Sequence, residues 1–149
     1  MVQTWLETCQ DGHTKCNLFS RQATAGGPTR NSTDTVGLPN RPTRVLDVAQ
    51  GKVRLDCNTS EDAQFEYLTL SHMWGTDATQ QLRLEVETFE AFQHNVPWNR
   101  LSKIFQEAIR ITRQLGHRYI WIDSLCIIQN SPADWEQEAA RMATVYGNS

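Results

Sequence analysis

The sequence predicts an α/β fold: a parallel sheet with flanking helices, preceded by a β-hairpin. Two apolar stretches of strand length, 67–71 and 118–123, are separated by a helical pattern over 101–115, and a second helical pattern follows from Ser131. Strand, helix, strand, helix in that order places the two strands parallel, because the helix supplies the long crossover that parallel neighbours need. A right-handed crossover is expected.

Each element has its own signal. "TRVLDV" and "KVRLDC" are joined by Ala49, Gln50 and Gly51, and Val53, Leu55 and Cys57 alternate with Arg54 and Asp56. Such alternation, with glycine in the connection, is a hairpin pattern. "EYLTLSHMWGT" reads as a strand that stops at Ser71, His72 and Gly75. In "LSKIFQEAIRITRQLG" the apolar positions Leu101, Ile104, Phe105, Ala108, Ile111 and Leu115 keep helical spacing, and Gly116 stands where a helix ends. "RYIWID" is apolar on both faces, as a central parallel strand is. "SPADWEQEAARMATVYGNS" opens with Ser131 as N-cap and Pro132 at the first helical position, with Asp134 three residues after the cap. Trp135, Ala139, Met142 and Tyr146 share one face of that helix.

The 149 residues carry 14 basic and 17 acidic side chains, well mixed, for a net charge of −3. One domain with a moderate core fits this length and a second does not. No basic stripe points to nucleic acid, and no apolar run approaches the roughly 20 residues of a membrane span. "MVQTWLETCQDGH" lacks the basic end and apolar centre of a signal peptide. The expectation is a soluble, cytoplasmic chain without nucleic-acid or membrane partners. Its four cysteines, at 9, 16, 57 and 126, then read as free thiols rather than a disulfide framework. Residues 20–40 are dense in Gly, Pro, Ser, Thr and Asn and have the composition of a flexible linker, which protease is expected to cut first. They separate a head, 1–19, from 41–66, which carries the hairpin, and from the body, 67–149.

In open parallel sheets, ligands collect outside the carboxyl ends of the strands. Ser71 and His72 leave the first strand at that edge, and Asp123, Ser124 and Cys126 leave the second. With Trp74 and Gly75 these residues form the candidate ligand-binding cleft.

"YLTLSHMWG" followed by "AIRITRQLGHRYIWIDSLCIIQNSPADWEQEAARMATVYGNS" resembles the heterokaryon-incompatibility (HET) domain of filamentous fungi. The resemblance rests on ordered blocks. Leu70, Ser71, Trp74 and Gly75 form the first; Leu115, Gly116, Tyr119, Trp121, Ile122, Asp123, Cys126, Ile127 and Gln129 form the second. Asp134, Trp135, Glu138, Met142 and Tyr146 form the third, and Met73 stands where many members carry cysteine. The resemblance implies a role in fungal non-self recognition that ends in programmed cell death. It also implies a distant likeness to Toll/interleukin-1 receptor (TIR) domains, with a flavodoxin-like sheet that is incomplete in these residues. Some TIR domains cleave NAD, so NAD is the implied ligand or substrate, and protein partners or self-association are the implied mode of signalling. The family's later Arg-x-Trp-x-x-Gln-Glu block, which by the TIR analogy would supply the catalytic glutamate, does not occur in these 149 residues. The expectation is therefore no NAD hydrolysis by this chain alone.

Several residues admit two readings. Asp123 either orients a ribose hydroxyl or caps the loop that follows. Glu138 is the candidate catalytic acid if it points into the cleft, and otherwise pairs with Arg141 on a solvated face. His72 and Cys126 invite a thiol–imidazole dyad, but a buried, inert Cys126 is the plainer expectation. Trp74, Trp121 and Trp135 either stack on a ligand ring or belong to the core, and the core is the commoner fate. Cys9, His13 and Cys16 supply three ligands where structural zinc takes four, so no metal site is expected and a short helix that packs Trp5 and Leu6 onto the body is the alternative.

Overall fold

The computed structural model describes residues 42–49, 51–57, 66–73 and 81–149. The head, the linker, Cys9, His13, Cys16, Trp74 and Gly75 lie outside the described residues. The elements run β1 (Val45–Asp47), β2 (Arg54–Asp56), β3 (Tyr67–Leu70), α1 (Phe89–His94), α2 (Lys103–Gln114), β4 (Tyr119–Ile122), α3 (Asp123–Cys126) and α4 (Pro132–Gly147). Short 3-10 turns at Val86–Thr88 and Trp98–Arg100 precede α1 and α2.

The pair expected to be parallel is parallel: β3 and β4 run in register from Tyr67 opposite Tyr119 to Leu70 opposite Ile122. Ser102 caps α2 by accepting from the Phe105 N–H. At its other end Gly116 adopts φ +81, with its own N–H bonded to Arg113 O and the His117 N–H to Thr112 O. That is the Schellman arrangement, in which a left-handed glycine lets the chain turn back onto the last carbonyls.

The sheet as a whole departs from the expectation of a parallel one. It is mixed, in the order β2-β1-β4-β3. β1 and β2 are antiparallel members of the same sheet, and β1 lies antiparallel against β4 with Leu46 opposite Ile120. The flank of β4 away from β3 is therefore occupied by β1, and β4 lies inside the sheet. A connection as short as the one around Gly51, which takes φ +93, joins only antiparallel strands, so β1 and β2 had to pair that way. Leu55, Leu46, Ile120 and Leu68 then form one apolar row across all four strands.

Alternate residues of β4 serve opposite faces. Ile120 lines a groove against α2, whereas the Trp121 ring meets Tyr146 of α4 edge-on at 5.4 Å. The two helices consequently cover opposite sides of the sheet. Both are rotated relative to the sequence reading. α2 buries Phe105, Ile109 and Thr112, leaving Ile104 and Ile111 exposed. α4 buries Glu138, Arg141 and Val145, while Trp135 is 52% exposed.

Asp47 ties the sheet at the amino end of β4. Its carboxylate accepts from Arg54 on the opposite strand, from Arg118 and from the Ala49 N–H. Burial alone would raise its pKa, but the Arg118, Ala49 and Arg54 bonds outweigh that and hold it at about 2. The stabilisation is complete above the ordinary value of 3.8 and disappears as pH falls through about 2. Between those limits the parent should lose about 2 kcal/mol more stability than Asp47→Asn. Urea unfolding midpoints for both proteins across that range test this; parallel curves would contradict it.

Candidate functional site

The carboxyl ends of β3 and β4 bring Ser71, His72 and Asp123 to one edge. His72 Nδ1 lies 3.6 Å from Asp123 Oδ1, and its ring packs edge-on against Phe105 with centroids 4.8 Å apart. Asp123 begins α3, and its own carboxylate accepts the Ser124 N–H at 2.6 Å. Its backbone oxygen accepts the Ile127 N–H and the Gln129 side-chain amide. The Asp123 side chain thus holds one backbone N–H of the turn that follows, that of Ser124. That bond does not consume the residue, because the carboxylate also borders a cleft of about 360 Å³ formed with Ile127, Gln129, Trp135 and Met142. A carboxylate so placed accepts hydrogen bonds from hydroxyls of a bound molecule, and the indole beside it offers a stacking surface.

The helical turn of α3 takes the next candidates away from this cleft. Ser124 and Cys126 are fully buried. Burial pushes the Cys126 thiol up to about 12, so no thiolate is available near neutral pH. Cys126 accordingly presents no exposed thiol for a dyad with His72.

Glu138 is not on a solvated face. It is 2% exposed, accepts the Thr43 hydroxyl at 2.7 Å, and lies 3.7 Å from Arg141 and 4.0 Å from Arg44. Arg44 is buried as well. It donates through Nε to Cys126 O at 2.6 Å and through Nη2 to both oxygens of Asp134, one of which also accepts the Ile128 N–H. From the first turn of α4 the Asp134 carboxylate therefore serves the segment before β1, while its N–H donates to the Ser131 side chain that caps the helix. The polar face of α4 is buried because Thr43 and Arg44 supply its partners; an isolated charge there would be too costly.

The other face of α4 turns to the cleft. Trp135 and Met142 line it, and Tyr146 stands within hydrogen-bonding reach of Ser71 and electrostatic reach of Asp123, with burial raising its phenol pKa. The shared face of Trp135, Met142 and Tyr146 was visible in the sequence, and the core placement expected for Trp135 was the misreading. Trp121, by contrast, belongs to the core, at 1% exposure. Gln129 was missed as a cleft residue, although it lies in the same block as Asp123.

These features define the class: an α/β domain with a mixed sheet, in which the parallel pair among the described residues leads to a cleft edged by Asp123 and Gln129. The family model described as Heterokaryon incompatibility protein (HET) matches residues 67–149, more than half of the chain. The chain belongs to that family, and its function is of the heterokaryon-incompatibility type. Searches of curated proteins and of solved structures found no match. Among the described residues no helix is long and apolar enough to cross a membrane.

Proposed function

We propose that this chain is a non-self recognition module that signals fungal cell death by TIR-like association with further copies of itself. The observation that supports self-association is a groove of about 500 Å³ between β3 and α2, lined by Leu68, Leu70, Ile104, Ala108, Ile111 and Ile120. Ile104 and Ile111 are 58% and 51% exposed there. Contiguous apolar surface of this kind on a folded domain is characteristic of a docking face. β3 is an outer strand of the described sheet, so the groove runs along an edge that a second copy can reach. Lys103 and Glu107 in its lining carry opposite charges, which suits a two-fold contact in which each copy meets its complement. Sedimentation equilibrium of the full chain should show concentration-dependent association that is lost when Ile104→Glu and Ile111→Glu are combined. In a filamentous fungus, expression of the parent should arrest growth and expression of the double variant should not. A parent chain that stays monomeric at every concentration would sink the reading.

The exposed Trp135 beside Asp123 favours a second reading, in which the cleft holds a nucleotide such as NAD. The indole stacks on a base and the carboxylate accepts ribose hydroxyls. Hydrolysis by this chain is not expected, because Glu138 is engaged by Thr43, Arg44 and Arg141. Cleavage at an anomeric carbon needs a carboxylate held against the developing charge. NAD should quench tryptophan fluorescence in the parent and not in Trp135→Ala, without nicotinamide release from either. Release that disappears in Asp123→Asn would promote Asp123 to catalyst and make the enzyme reading the better one.

A further inference from the structure

The opposite edge of the sheet carries a second concavity, independent of the cleft and of the apolar groove. It occupies about 530 Å³ where β1 ends, β2 begins and β4 begins, and Asp47, Lys52, Arg54, Gln93, His94 and Arg118 line it. The protein is acidic as a whole, with a net charge of −3, yet three of these residues are permanent cations. One carboxylate, Asp47, lies among them. Asp56 acts on Arg118 from the end of β2, so cations still outnumber carboxylates.

The two guanidiniums are positioned rather than loose. Each meets Asp47 through Nε and one terminal nitrogen, at 3.2 and 2.8 Å for both Arg54 and Arg118. Arg118 also lies over the Tyr119 ring at 5.1 Å. Because the Asp47 side chain is only 3% exposed while the arginines are 50% and 53% exposed, the carboxylate is covered and the cations face solvent. Arginine carries five N–H donors, so the fork that grips Asp47 leaves the outer nitrogen of each guanidinium for another acceptor. Lys52 on the rim is exposed and makes no ion pair with a described residue. His94 and Gln93 close the far wall with groups that can donate to a phosphate oxygen.

We propose that this pocket binds the phosphate group of a phosphorylated small molecule. Two immobilised guanidiniums and an exposed ammonium that pairs with no described residue, set around a concavity, match a multiply charged oxyanion better than a single carboxylate or chloride. Asp47 serves as the positioning residue that fixes both arginines at little entropic cost on binding.

The experiment uses the full chain and inorganic pyrophosphate as probe, followed through the arginine Nε–H signals in NMR at constant ionic strength. Arg54 and Arg118 should shift saturably with a submillimolar dissociation constant, while Arg83, paired with Glu85 elsewhere on the surface, should not follow. Lys52→Glu reverses a charge that no described contact requires, so it should keep the fold and weaken binding about tenfold or more. Lys52→Arg should restore it. Adenosine diphosphate binding more tightly than pyrophosphate would extend the site to nucleotides. Shifts that fail to saturate, that appear equally on Arg83, or that survive Lys52→Glu would overturn the proposal.

Discussion

Arg44→Ala is expected to destabilise the protein by about 3–5 kcal/mol, because it strands buried acidic groups that have no other cation of the same quality. Asp134 loses both of its short bonds from Arg44, and the Cys126 carbonyl loses its donor. Glu138 retains Arg141 at 3.7 Å and the Thr43 hydroxyl, but in surroundings only 2% exposed. The substitution also cuts the tie between the segment that enters β1 and the helix α4, which lies about 90 residues on in the chain. The urea midpoint should fall without a change in slope. Arg44→Lys should recover little, since an ammonium cannot grip both Asp134 oxygens and the Cys126 carbonyl in one plane. A loss below about 0.5 kcal/mol, the ordinary range for surface substitutions, would show that the network is solvated after all.

That network marks the limit of what the sequence disclosed. Signals carried by neighbours were legible: Gly116 ending α2, Ser131 and Pro132 starting α4, the apolar runs of β3 and β4, and from them the meeting of His72 with Asp123. Signals that depend on distant partners were not. A three-residue strand such as β1 carries a hairpin pattern but no mark of its other neighbour, so its place beside β4 could not be read. In α2, the 104–108–111 stripe is as apolar as the 105–109 stripe, and only the sheet decides which faces inward. In α4, Glu138 and Arg141 have the residue types of a solvated face; their burial follows from Thr43 and Arg44, which no local spacing connects to them. The same rotation that buries Glu138 presents Trp135 and Met142 to the cleft, so one misreading of the helix misplaced both the candidate acid and the candidate stacking surface.

Trp121→Ala is the other large effect expected, again about 3–5 kcal/mol, the range for truncating a large buried aromatic. Trp121 is the largest fully buried side chain among the described residues and sits in β4, an inner strand of the sheet, opposite Thr69 of β3. On the α4 face its ring supports Tyr146 edge-on, at an interplanar angle of 82°. The cavity would therefore open directly beneath the residue that reaches Ser71 and Asp123. Trp121→Phe separates two contributions. It removes part of the ring volume, but it also removes an indole N–H that has no hydrogen-bond partner among the described residues. An unmatched buried donor costs about 1–3 kcal/mol, so its loss offsets much of the lost packing, and Trp121→Phe should cost no more than about 1.5 kcal/mol. Urea unfolding of both variants measures the difference. If Phe costs as much as Ala, the indole nitrogen contributes a bond rather than a penalty. If Ala costs as little as Phe, α4 has settled onto the sheet, and the cleft between Trp135 and Asp123 should narrow with it, weakening any quenching of Trp135 by NAD.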